Sequence, residues 1–371
     1  MRIKVAILLL VLGIVAGSPS QIRFVQAAPV QQAALPGRLS DAEFWNLASS
    51  LSEPGGYFRI VDNFTSNESE VGRLFPRVAA LGGPGGVYLG VGPEQNLSYI
   101  AALRPAMAFI VDIRRQAAIQ HLMFKAVFEL SKDRADFISM LFAKPKPADI
   151  EPMAPIQQIW GAFANVPTDK SLAAKNHAAV VDRLKTHGFT LTEDESSQLD
   201  LVLNAFVQYG PAITTNSGGG GGGRGGNGAS FEDLTGWETD DGGQPRSFLS
   251  TDENYRFVKT LQEKNLLIPV TGDFGGPKAL RAVGKYLHEH NGIVRAFYVS
   301  NVESYLFMDG KSETFYENVA SLPLNDLSVF IRPYAMRQAG RPEPLCGIVK
   351  FLAAAQAGRV RTNNDALSCP Q

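Results

Sequence analysis

Cysteine is almost missing from this chain: Cys346 and Cys369 are the only two among 371 residues. That excludes a cysteine-ligated zinc module and a dense disulfide scaffold. The five histidines form no HExxH pair, so a metalloprotease-type zinc site is unsupported. No GxSxG is present, which removes the α/β-hydrolase nucleophile elbow. Six consecutive glycines precede Arg224, but no Lys-Ser/Thr follows at phosphate-loop spacing. An excess of one charge sign is also lacking. Lys and Arg number 35 against 36 acids, for a formal net charge of −1, so no nucleic-acid surface is expected. Repeated long apolar runs are absent, which excludes a polytopic membrane protein.

What is present begins with a secretory pattern. Arg2 and Lys4 precede an unbroken apolar run, Val5–Ala16, and Val25-Gln26-Ala27 places small residues where signal peptidase needs them. The run is short for a bilayer span. Residues 1–27 therefore read as a cleavable signal peptide, and the chain as exported to the periplasm or secreted. An uncleaved amino-terminal anchor is the alternative. In an oxidising compartment Cys346 and Cys369 are expected to pair as one disulfide.

Residues 28–371 read as one large α/β domain. Ser40 is a plausible N-cap for a helix over Asp41–Leu51. Gly86–Leu89 has the apolar continuity of a buried strand. Gly90-Val91-Gly92-Pro93 is a tight turn, Glu94–Leu103 a helix, and Ala106–Val111 a second strand ending at Asp112. This is a βαβ unit. A second follows the same pattern: strand 265–270, glycine turn 271–277, helix 278–290, strand 293–299, with a further strand expected over 324–331. Continuous apolar strands imply helices on both faces of a parallel sheet, so a doubly wound sheet is expected. Residues 116–210 read as a helical insertion, including a helix over 178–187 and one to Tyr209 opened by the capping pair Thr192 and Glu195. The run 217–228 is low-complexity and reads as a disordered loop.

In a parallel sheet, ligands bind at the carboxyl ends of the strands. Gly90 and Gly92 would let backbone approach a ligand, and Asp112, at the next strand end, suits ribose hydroxyls. The dinucleotide fingerprint wants a third glycine where Gln95 stands, so an NAD enzyme is poorly supported. A class I S-adenosylmethionine site tolerates that change. Glu94 and Asn96 open the following helix, either as caps or as part of the cofactor pocket. Asn67, Glu68, Asp273, Asn301 and Glu303 are the candidates for a substrate cleft. Arg114 and Arg115 read as solvated charges rather than as an anion site.

The blocks Gly86–Arg115, Phe124–Phe142, Asn265–Gly284 and Phe297–Phe307 resemble a family of uncharacterised bacterial exported proteins with a class I methyltransferase-type Rossmann domain. The resemblance implies a mainly parallel Rossmann-like sheet. It also implies S-adenosylmethionine at Gly90, Gly92 and Asp112, with Asp273, Asn301 and Glu303 near a substrate. The expected partner is a small polar, nucleoside-like ligand, with no nucleic acid and no membrane span after signal cleavage. Adenosylmethionine is made in the cytosol, so an exported chain would lack its donor. The competing expectation is a non-catalytic envelope protein that keeps the fold without the cofactor.

Overall fold

A computed structural model describes residues 34–58, 63–83, 85–215, 217, 228–333 and 343–370. The signal-like segment 1–27 lies outside the described residues, as does nearly all of the glycine-rich run. Six strands form one sheet: β1 (Gly86–Gly90), β2 (Met107–Asp112), β3 (Leu267–Thr271), β4 (Ile293–Tyr298), β5 (Val329–Ile331) and β6 (Leu345–Gly347), in the order β3-β2-β1-β4-β5-β6. Every pairing is parallel except β5 with β6. Every residue of β1, β2 and β3 is buried. Side chains alternate between faces along a strand, so both faces of the sheet are covered. Strand order reverses between β1 and β4, and the strand ends diverge there.

The helices flanking the central strands are α1 (Asp41–Leu51), α2 (Phe75–Ala79), α3 (Gln95–Leu103) and α4 (Arg115–Leu130). The insertion continues with α5 (Arg134–Phe142), α6 (Ile156–Phe163), α7 (Lys170–Thr186) and α8 (Glu193–Tyr209). The chain then carries α9 (Asp252–Glu263), α10 (Ala279–Glu289), α11 (Val302–Met308), α12 (Ser312–Ala320), α13 (Ile348–Gln356) and α14 (Asn363–Leu367). Ser40 and Thr192 each form a full capping box, on α1 and α8. None of the helices among the described residues is long and apolar enough to cross a membrane.

Three sequence expectations need correction. The helix expected over 178–187 begins eight residues earlier, because Asp169 caps it by accepting from the N–H groups of Ser171 and Leu172. The strand expected over 324–331 is only Val329–Ile331. Asn325 and Ser328 instead bond to each other in a turn. The expected insertion is helical, but its first helix, α4, packs on β2 and β3 and so belongs to the sheet's own covering layer.

Where α4, α5 and the start of α9 meet, the core is aromatic. Phe137, Phe248 and Tyr255 surround Phe128, with ring centroids 4.7, 5.9 and 5.4 Å away. Such pairs add about 0.5–1.5 kcal/mol each beyond their buried area. At the other end of the chain Cys346 on β6 is disulfide-bonded to Cys369, 23 positions later. Closing a loop of that size stabilises the tail by about 3 kcal/mol.

Candidate functional site

The turn after β1 is built from the inside. Asn96 is fully buried, and its Nδ2 donates to the carbonyls of Val91, Gly92 and Pro93 at 2.9, 3.1 and 2.7 Å. Its Oδ1 accepts from Tyr88 Oη at 2.9 Å. Asn96 is therefore a staple beneath the turn. It neither caps α3 nor faces a pocket. Gly90 is required by that staple, since a Cβ there would come within 1.9 Å of Asn96 Oδ1. Gly92 has φ +78°, with open space where a Cβ would point, so glycine is needed for conformation rather than for room. His121 Nε2 sits 2.9 Å from the Gly92 carbonyl and donates to it. Burial lowers the His121 imidazole to about 4, so it is neutral at physiological pH.

Asp112 closes β2, and Arg114 closes over it. The Arg114 main-chain N–H and Nε donate to Oδ1 at 2.9 and 3.1 Å, while Nη2 donates to Oδ2 at 3.0 Å. Only 7% of the Asp112 side chain and 9% of the Arg114 side chain are exposed. The reading of Arg114 as a solvated charge is thus overturned: burial at the strand end demands a partner, and Asp112 supplies it. Arg115 is also engaged. It donates to Glu195 at 2.6 Å and to Thr271 at 3.3 Å, tying the start of α8 to the end of β3.

Two carboxyl groups lie beneath this surface. Glu94 is fully buried, and desolvation raises it to about 7; its oxygens accept from the Ser66 N–H at 3.1 Å each. Glu68 is 2% exposed. Its Oε1 accepts from Ser300 Oγ at 2.6 Å and from Tyr298 Oη at 3.3 Å. Burial first, and then the negative Glu68, push the Tyr298 hydroxyl well above its ordinary value, so it remains a donor.

A cleft of about 200 Å³ opens over the reversal point, at the carboxyl ends of β1 to β4. Five of the sequence candidates line it: Asn67, Gly92, Asp112, Asp273 and Asn301. Asp273 is paired with Lys311 at 2.6 Å, and both line the wall. Gly90, Glu94 and Asn96 sit under the turn, and Glu68 under Ser300. Glu303 is elsewhere in function: Arg332 donates to it at 2.5 and 2.7 Å and Tyr316 at 2.8 Å, a closed pair that holds β5 against α11. Sequence reasoning missed Ser66, Tyr298, Ser300 and the aromatic wall of Phe58, Phe274 and Tyr305. Of these, only Ser300 carried a sequence signal, as the first polar residue after an apolar strand. Among the described residues, no group of three or more His, Cys, Asp or Glu is placed to hold a metal ion.

A family model described as a domain of unknown function (DUF7790) matches residues 63–187 and 234–353. The chain belongs to that family. The matched stretches carry Asn67, Glu68, Gly92, Asp112, Asp273 and Ser300, and the gap between them contains the glycine-rich run. No curated protein matches the chain.

Proposed function

We propose that the chain is a Rossmann-like, class I methyltransferase-type protein whose strand-end cleft binds a nucleoside-like small molecule. The observation that carries this reading is the pairing of Gly92 and Asp112 on adjacent strand ends, facing one cleft at the point where strand order reverses. The strand order β3-β2-β1-β4-β5 with an antiparallel edge strand supports the same reading.

The residues fit the ligand class. Asp112 Oδ2 accepts one side-chain hydrogen bond, so it keeps a lone pair for a ribose hydroxyl. The Gly92 turn leaves open space beside it, and the aromatic wall offers flat apolar faces to a base. S-adenosylmethionine, when bound, would supply an electrophilic methyl group. Asp112 would orient the sugar, and Asn67, Asp273 and Asn301 would position an acceptor.

One observation favours a second reading. Arg114 already clasps Asp112 through both carboxylate oxygens, as a fold that had lost its cofactor could afford. Calorimetric titration with S-adenosylmethionine and adenosine separates the two. Micromolar binding that Asp112→Ala abolishes supports the ligand reading, and silence at millimolar ligand supports the scaffold.

A further inference from the structure

The geometry points to a second chemistry in this cleft, beyond nucleoside binding: Ser300 is a nucleophile activated by Glu68, and it takes the acyl group of a small carboxylic ester. Ser300 lies immediately beyond β4 and Val299, on the turn that enters α11. Its φ is +48°, a left-handed conformation that a serine rarely adopts. Of the six other described non-glycine residues with positive φ, five follow helices: Arg104 and Ala143 cap α3 and α5, and Asn265, Asn291 and Cys369 come just after α9, α10 and α14; Glu70 precedes a short helical turn. Left-handed residues are an ordinary way to end a helix. Among the described residues Ser300 alone of these follows a strand, and strain of this kind is stored at functional turns.

That turn presents the side chain in a specific way. Ser300 lines the cleft, while its Oγ–H donates to Glu68 Oε1 at 2.6 Å. Glu68 is buried, so its oxygen is withdrawn from water and aimed at the hydroxyl. A hydroxyl beside a positioned base is the general form of an activated nucleophile. Tyr298 Oη, 3.3 Å from the same oxygen, steadies the carboxylate without competing as a base. Asn301, next in the chain, puts an amide side chain on the same wall as a donor for a polarised carbonyl.

The step balances with water as the second substrate. As Ser300 Oγ bonds to the ester carbonyl carbon, its proton passes to Glu68. The carbon–alkoxy bond breaks, and the alcohol leaves with that proton. Water then attacks the acyl-serine and gives its proton to Glu68. The acid departs as the proton returns to Ser300 Oγ. Phe274, Tyr305 and Leu306 would receive the apolar part of the ester.

The test uses the full chain with 4-nitrophenyl acetate and with a fluorophosphonate probe, the adduct being located by peptide mass spectrometry. Expected are a single adduct on Ser300, its loss in Ser300→Gly, and labelling at least 100-fold slower in Glu68→Gln. Glycine suits the positive φ, so Ser300→Gly keeps the fold, and a melting curve verifies it. Ser197→Ala, exposed on α8, is the control that labels normally. An unlabelled chain at millimolar probe overturns the proposal. So does an adduct on another residue, or labelling that is unchanged in Glu68→Gln. Labelling is measured without nucleoside and nucleoside binding without ester, so failure of one is separable from failure of the other.

Discussion

Two buried carboxylates with cationic partners, Glu129 and Asp112, differ in what they leave available. Glu129 on α4 accepts from Lys125 at 2.6 Å, from Arg183 at 2.7 Å and from His187 at 2.6 Å. Its partners come from α4, α7 and the residue that ends α7, and Lys125 also donates to the Gln262 carbonyl at the end of α9. That network is closed, and it joins distant parts of the chain. Asp112 is held by a residue two positions away, and it lines a cleft. A charge buried to join elements spends all its acceptors on the protein. A charge buried at a strand end with acceptors to spare is what a binding site needs.

The largest expected effect would break the closed member of the pair. Glu129→Gln leaves three cationic groups around a neutral amide, and it should destabilise the fold by about 3–5 kcal/mol in urea unfolding. The network also sets a pH window. The hydrogen bond that His187 donates to Glu129, more than any other cause, raises His187 above its ordinary value of 6.5. Its contribution is complete below 6.5 and is lost as pH rises through the folded value. Glu129, although burial opposes it, is lowered from 4.5 to about 2 by His187 and Lys125. Its contribution is complete above 4.5 and is lost as pH falls toward about 2. Unfolding free energy measured across pH should show both losses; Glu129→Gln should remove the acid one and reduce the other, because Asp41 also pairs with His187 at 2.9 Å.

Glu94 reverses the sign. Its folded value, about 7, lies above its ordinary 4.5, so the native state binds the proton more tightly. Stability should fall as pH rises from 4.5 to about 7, by up to about 3 kcal/mol. Glu94→Gln should be more stable than the parent at pH 8 and should flatten that slope. An unchanged slope would mean that Glu94 is better solvated than its burial indicates.

The smallest effect on stability is expected at the open member. Asp112→Asn keeps an acceptor for the Arg114 main chain, and the Arg114 side chain borders the cleft where water can reach it, so the lost charge should cost about 1–2 kcal/mol. It should nonetheless abolish ligand binding. If Asp112→Asn proves as destabilising as Glu129→Gln, the contrast between the two carboxylates collapses.

The sheet was legible because its central strands are buried on both faces and so read as unbroken apolar runs. Gly92 and Asp112 were legible because the turn and the strand end are local. Short elements were not: α6, α11, α12 and the three-residue β6 carry too little periodicity. The contacts around the cleft that sequence reasoning missed join residues far apart. Ser300 and Glu68 are 232 positions apart, and Lys311 and Asp273 are 38 apart. Asn96 was misread for a different reason. An amide at a helix start is ordinarily a cap, and only the three carbonyls folded over it make it a staple.

The central claim is that the cleft under Gly92 and Asp112 is a working site for a nucleoside-like ligand. Isothermal titration of the full chain with S-adenosylmethionine, S-adenosylhomocysteine and adenosine, in parallel with Asp112→Ala, tests it most directly. Micromolar binding of at least one of them, lost in the variant while its melting temperature stays within a few degrees, is the predicted result. Absence of heat at millimolar ligand for all three, or equal binding by the variant, would contradict the account.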